Sequence, residues 1–299
     1  MAVGASSEKN LMSFSKLGES ATAQGVIYAA TGRRYRKECV RSLKSLAKNL
    51  PGMSATVFTD EPLDFVNIES DRVTIRRLLN PQRGFIDKIS ALMESPYQRT
   101  LFLDTDTLVL SEIKELIRLG DYFDLAVVSD MYLPDHHPLI PLSFPEYNTG
   151  VILYNKTPEV VSMLTAWKEI FLSQVRSERP PKHDQPSFRE SLFFSPVRFV
   201  TLPNEWNFHA QHPRILNAGS SVKILHTRRR DDELSSAIFE TASHSRIFIP
   251  SEDTFHPRRI SAVGRYCDMA IRASCAPYQG FSSIRRLICK VFSCLGKRE

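Results

Sequence analysis

Asp104, Thr105 and Asp106 stand between two largely apolar runs, Leu101 to Leu103 and Thr107 to Leu110. Two carboxylates at the end of a buried strand repel each other unless a positive group lies between them. In an extended chain, residues two apart point to the same side, so Asp104 and Asp106 are expected to converge on one region. Hard carboxylate oxygens suit Mg2+ or Mn2+, ions that keep positions open for phosphate oxygens. An acidic turn after a strand fits the same three residues. The apolar flanks weigh against it, because burying charge there is costly without compensation.

Such carboxylates need a scaffold. Gly25 to Thr31 reads as a buried strand ending at Gly32. Within Arg36 to Asn49, Val40, Leu43, Leu46 and Ala47 have the spacing of an amphipathic helix. Ala55 to Thr59 and Arg72 to Arg76 read as further strands, and Phe85 to Met93 as a helix. Strands are expected at Arg99 to Leu103, Phe123 to Val128 and Asn148 to Tyr154, then a helix at Glu159 to Val175. Phe199 to Leu202 and Val222 to Leu225 read as late short strands. This alternation predicts an α/β fold with a mostly parallel sheet covered on both faces. Such sheets bind ligands at the carboxyl ends of their strands. Leu133 to Pro145, with four prolines and two histidines, is a binding loop or a rigid connection.

Bulk properties narrow the classes. The chain has 299 residues, 42% hydrophobic and 24% charged, the balance of a globular protein. Most of the +6 net charge lies in Phe281 to Glu299, which carries five basic residues against one acidic. A basic tail with no interleaved aromatic and basic groove argues against nucleic acid as a partner. Five cysteines without a CxxC pair suggest reduced thiols and a cytoplasmic protein. No apolar run suits a signal peptide or a bilayer span. Residues 1–24 read as a mobile lead-in, 25–245 as the main domain and 246–299 as an extension. A basic amphipathic helix at 281–296 either packs on the domain or makes peripheral contact with an anionic membrane surface. The oligomeric state is not readable.

The motifs between about Gly25 and Arg230 resemble, in order, those of glycosyltransferase family 8, which includes glycogenins and lipopolysaccharide glycosyltransferases. They are Tyr28-Ala29-Ala30-Thr31 with Tyr35, Lys88, Asp104-Thr105-Asp106, and Asn148-Thr149-Gly150. Asp184-Gln185, Leu202 to Phe208 and Ile224-Leu225-His226 follow. The resemblance implies the GT-A fold, Rossmann-like, with a C-terminal helical tail here. It implies metal-dependent transfer of a hexose from a nucleotide-diphospho-sugar, a UDP-sugar, to an acceptor, with retention of configuration. It gives the base to Ala30, Thr31 and Tyr35, and the diphosphate or ribose to Lys88. Asp104 takes ribose and metal, Asp106 the metal, and Thr105 lies along the donor. Asn148 and Gly150 reach the donor sugar. Asp184 and Gln185 are the catalytic pair, beside the sugar hydroxyls and the anomeric face. His226 is the third ligand of Mn2+ (or Mg2+).

The chain departs from the family after His226, where Thr227 and Arg228 to Arg230 replace Gly and Lys-Pro-Trp. Arg228 is assigned the lysine's place on the diphosphate, since arginine binds phosphate well. Each assignment has a plainer counterpart. Tyr35 can pack on the sheet, Lys88 can be a solvated helix lysine, and Tyr147 to Val151 can be a turn. Asp184 and Pro186 can open a helix as N-cap and first-turn proline. Two rival functions use the same residues: a haloacid-dehalogenase-like phosphatase with Asp104 and Asp106 as nucleophile and acid, and a nucleotide-sugar-binding module without turnover.

Overall fold

Val26 to Ala30 is an uninterrupted apolar run, and a strand of that kind needs cover on both faces. The computed structural model describes residues 24–65, 68, 71–132, 134–178, 180–210, 213–228, 240–243 and 245–250, and the backbone of 255–259. In chain order the elements begin with β1 (Gln24–Ala30), α1 (Arg33–Asn49), β2 (Ser54–Thr59), β3 (Val73–Arg77), α2 (Phe85–Met93) and β4 (Arg99–Leu103). Then come β5 (Thr107–Val109), α3 (Lys114–Arg118), β6 (Leu125–Ser129), β7 (Tyr147–Asn155), α4 (Pro158–Val175) and α5 (Gln185–Phe193). The last are β8 (Phe199–Leu202), β9 (Phe208–His209), β10 (Arg214–Leu216), β11 (Ile224–His226), β12 (Arg246–Pro250) and β13 (Phe255–Arg259).

Seven strands make the main sheet, in the order β3-β2-β1-β4-β7-β6-β8. The first four are mutually parallel, and β6 is parallel to β8. The expected parallel sheet is therefore present with one reversed strand, since β7 runs antiparallel to both β4 and β6. The reversal brings the start of β7 to the edge where β4 ends, and Asp104 N donates to Gly150 O at 2.8 Å there.

Alternation along β1 divides the core. Val26, Tyr28 and Ala30 face Cys39, Leu43 and Leu46 of α1. Ile27 faces the other layer, with Ile89 and Leu92 of α2, Trp167 of α4 and Phe188 of α5. Each fully buried valine, leucine, isoleucine or phenylalanine among them contributes about 1.5–3 kcal/mol. That sum is what allows several charged groups to be held at the carboxyl edge of the sheet.

Two small sheets complete the described chain, β5-β11-β9 and β10-β12-β13. The strands β12 and β13 fall in the stretch assigned to the extension, and β12 pairs with β10. Cys39 is a buried free thiol. The lead-in up to residue 23, the four C-terminal cysteines and the helix expected at 281–296 lie outside the described residues. Among the described residues, no helix is long and apolar enough to cross a membrane.

Candidate active site and metal centre

The chain leaves the main sheet at Leu103 and enters a small sheet at Thr107. The acidic triplet is the turn between them, closed by Thr107 N and Oγ1 donating to Asp104 O at 3.2 and 2.8 Å. The extended, same-side geometry expected from the sequence is absent. The turn brings the carboxylates together instead, because two sheets meet at that point. Opposite them β11 ends in His226, whose Nε2 lies 3.1 Å from Asp106 Oδ1 and 3.9 Å from Asp104 Oδ2.

One ligand atom from each of Asp104, Asp106 and His226 lies within 4.8 Å of the other two. Two carboxylate oxygens and one imidazole nitrogen fit Mn2+ or Mg2+ by chemistry. The surroundings fit as well. His226 Nδ1 is 3.0 Å from Asn207 Oδ1, and Asn207 Nδ2 donates to Asn148 Oδ1 at 2.8 Å. With Nδ1–H donated to Asn207, Nε2 is the nitrogen turned toward the carboxylates, the arrangement a metal-binding histidine needs. Thr227 N donates to Asp106 O at 2.8 Å and ties the end of β11 to the turn.

Charges compensate one another here. Burial pushes Asp106 up, but His226 and Arg228 outweigh it and hold the carboxyl far below the usual range. Arg228 Nε donates to Asp106 Oδ2 at 2.9 Å. At Asp104 burial prevails and raises the carboxyl, against Lys88 and His226. Burial lowers His226, and attraction to Asp106 more than offsets it, so the imidazole sits above its ordinary value.

Lys88 connects this centre to the inner wall. It is only 6% exposed, so the solvated-lysine reading fails. Its Nζ lies 2.9 Å from Thr149 Oγ1, 3.2 Å from Asp104 Oδ1 and 3.3 Å from Asp184 Oδ2. Asp184 does stand at the N-cap position of α5 with Pro186 in the first turn, yet its side chain makes no capping bond. The carboxylate accepts from Thr149 Oγ1 and faces Lys88. Gln185 Nε2 donates to Asp130 Oδ2 at 2.6 Å, and Asn148 Nδ2 to the same oxygen at 3.1 Å. Burial raises Asp130, and these bonds bring it below the usual carboxylate value.

Asp130 and Asn207 are site residues that the sequence reading did not single out. Asp130 follows an apolar strand, LAVVS, and its one signal is that position at a carboxyl end. Asn207 lay in a segment read as support, and the support it gives is the bond that orients His226.

A cleft of about 300 Å³ opens above the turn. Thr31, Tyr35 and Arg228 line it, with Lys88, the triplet and His226 as its floor. Ala30 points into the core, while Ala29 and Thr31 line the cleft. Thr31 Oγ1 donates to Asp87 Oδ2 at 2.7 Å, and Thr105 Oγ1 is 3.4 Å from Glu38 Oε2. Tyr35 is 39% exposed and does not serve as core. Asn148, Gly150, Asp184 and Gln185 lie behind the floor as a buried wall. The face of Gly150 expected to admit a ligand is covered by the His226 ring.

No family model matches the chain, and no curated protein matches it. Among solved structures, the glycosyltransferase GlyE of Streptococcus pneumoniae TIGR4 aligns at a TM-score of 0.50 and 16% identity, over 70% of this chain and 56% of that one. The galactosyltransferase LgtC, solved in complex with donor and acceptor sugar analogues, aligns at 0.47 and 16% identity, over 62% and 75%. At such identity the likeness to GlyE is one of fold. The chain has an α/β GT-A fold, the likeness it shares with GlyE, with an Asp-Asp-His group at the carboxyl edge of its sheet.

Proposed function

We propose that this chain transfers a hexosyl group from a nucleotide-diphospho-sugar, a UDP-sugar, to an acceptor, with retention of configuration. The observation that carries this reading is the convergence of Asp104, Asp106 and His226 on one point at the floor of the cleft. Asp104, Asp106 and His226 would hold Mn2+ or Mg2+, and the bound ion neutralises negative charge on a departing diphosphate.

The chain's own residues have distinct parts. Tyr35 offers an aromatic face for the base, and Thr31 a hydroxyl beside it. Arg228, in the same lining, is assigned the diphosphate, whose growing negative charge a guanidinium stabilises. Lys88 holds Asp104 and Asp184 at fixed spacing, so the phosphate side and the sugar side move as one unit. Asp184, behind the floor and held by Lys88 and Thr149, is assigned the sugar hydroxyls. Gln185, oriented by Asp130, is assigned the anomeric face. The Gln185–Asp130–Asn148–Asn207–His226 chain of hydrogen bonds links the sugar side to the metal ligands.

The test is a panel of nucleotide sugars with Mn2+ and candidate acceptors, reading nucleoside diphosphate release. The expected result is release from a UDP-hexose, reduced at least ~100–1,000-fold by Asp106→Ala. Phosphate release from phosphoesters would transfer the reading to the phosphatase. Metal-dependent binding without turnover would leave a binding module. An inverted product anomer would overturn retention alone.

A further inference from the structure

The parallel strands β1, β2 and β3 end side by side, with Ala30 level with Thr59 and Thr59 with Arg77. The chain leaving each strand therefore emerges at one carboxyl edge. Asp60, just after β2, ties these exits together. It accepts from Gly32 N at 3.0 Å and from Arg83 Nε at 3.1 Å, and it pairs with Arg36 of α1. Arg36 also pairs with Asp64 in the turn Pro62–Phe65. The start of α1, that turn and the loop after β3 thus form one surface. The cleft opens on it, since Thr31, Tyr35 and Arg83 line the cleft.

Two kinds of exposed side chain meet at this edge. Leu63 is 74% exposed and Leu79 87%, each in a turn that follows a strand. Arg33, Arg76 and Arg77 are exposed as well. Asp60 and Asp64 are neutralised by Arg36, and Glu38 by Arg34. Arg33, Arg76 and Arg77 have no acidic partner among the described residues, and Glu61, which accepts from Leu63 N, is the acid left to set against them. The edge is therefore apolar at its turns and positive between them.

We infer that this edge docks on an anionic bilayer surface, with Leu63 and Leu79 entering the headgroup region and the arginines meeting lipid phosphates. Exposed apolar residues rimmed by polar ones mark a protein or a membrane partner. A protein interface has a centre depleted of charge, whereas arginines and leucines are interspersed here. A nucleic acid would engage the arginines but offer the leucines no apolar layer. An anionic bilayer offers both, since its surface attracts nearby basic residues and the arginine fork matches a phosphate. Docking turns the mouth of the cleft toward the lipid, whichever reaction the cleft performs.

The test uses the full chain with vesicles of equimolar phosphatidylglycerol and phosphatidylcholine, and with vesicles of phosphatidylcholine alone. The basic residues of 281–299 also attract anionic lipid, so the readout is local as well as global. Amide exchange across 61–65 and 77–84 is followed by mass spectrometry, and affinity by co-sedimentation. Exchange in both segments is expected to slow on the mixed vesicles and to stay unchanged on phosphatidylcholine. Arg33→Gln with Arg77→Gln should weaken binding at least about tenfold, and Leu63→Ser with Leu79→Ser should abolish the slowing. All four positions are exposed, so both variants are expected to melt with the parent. Unchanged exchange in these segments, equal slowing on both kinds of vesicle, or parent-like affinity in the arginine variant overturns the inference. Equal slowing by a DNA duplex free of lipid also overturns it and assigns the edge to polyanions in general.

Discussion

A methyl group placed on Gly150 would stand 2.4 Å from Cε1 and 2.7 Å from Nδ1 of His226. The imidazole therefore occupies the room that any other residue at position 150 would fill. Gly150→Ala must move the ring or the strand, an overpacking that costs typically 1–3 kcal/mol. It also pulls Nε2 off the carboxylates. Calorimetry with Mn2+ is expected to show affinity lowered about 10–100-fold in Gly150→Ala, the range for disturbing the support of a ligand. An unchanged affinity would remove His226 from the ligand set. Glu146 makes a different prediction at the same scale. Its folded carboxyl, buried near Asp130, Asp135 and Asp184, keeps its proton to about pH 7, against an ordinary value of 4.5, so the folded chain binds more protons between those values. Stability at this group therefore falls as pH rises from 4.5 to 7. Glu146→Gln removes that cost. Its melting temperature should exceed the parent's by a few degrees at pH 8 and match it near pH 4.5.

Among elements, α5 does two jobs, with its first turn at the catalytic wall and Arg189 holding the loop ahead of β7. Three carbonyls, those of Asp135, Pro141 and Phe144, lose their donor in Arg189→Met. Amide exchange across 135–146 should accelerate at least tenfold while β1 and β4 keep their protection, as hydrogen–deuterium exchange mass spectrometry would read. Unchanged exchange would mean that the prolines alone hold the loop. The long elements were readable because their periods are long: α1, α2 and α4 by apolar spacing, β1 and β4 by apolar runs. The direction of β7 was not, since a strand buried on both faces has the same pattern either way. Strands of two or three residues carry no period, so β9 and β10 left no trace, and β5 showed only as the apolar run after Asp106. That is also why Asp104 to Asp106 read as strand rather than as the turn between two sheets. Asn148, Asp184 and Gln185 came from motif resemblance, and Asp130, a lone acid after a strand, had no motif to carry it.

At the scale of the molecule, the candidate metal centre is a joint. Asp104 ends a strand of the main sheet, Asp106 leads into β5, and His226 ends β11, the strand paired with β5. Besides the backbone bond from Thr227 N to Asp106 O, the joint is held by His226 and Arg228 on Asp106. A cation bound to all three ligands would fasten the small sheet to the large one. Ligands that bind only the folded chain stabilise it by about 2.7 kcal/mol at a hundred times Kd. Mn2+ with UDP at such concentrations should raise the melting temperature by several degrees. Asp106→Ala should abolish the rise, because the variant keeps the cleft but loses the ligand that faces both His226 and Arg228. Arg228→Met separates the two ligands: the arginine shares Asp106 with the metal, so Mn2+ alone should stabilise this variant more than the parent. The extra gain on adding UDP should shrink, since the diphosphate loses its guanidinium. If Mn2+ shifts the parent and Asp106→Ala equally, the joint is held by the chain's own bonds and the centre is not a metal site.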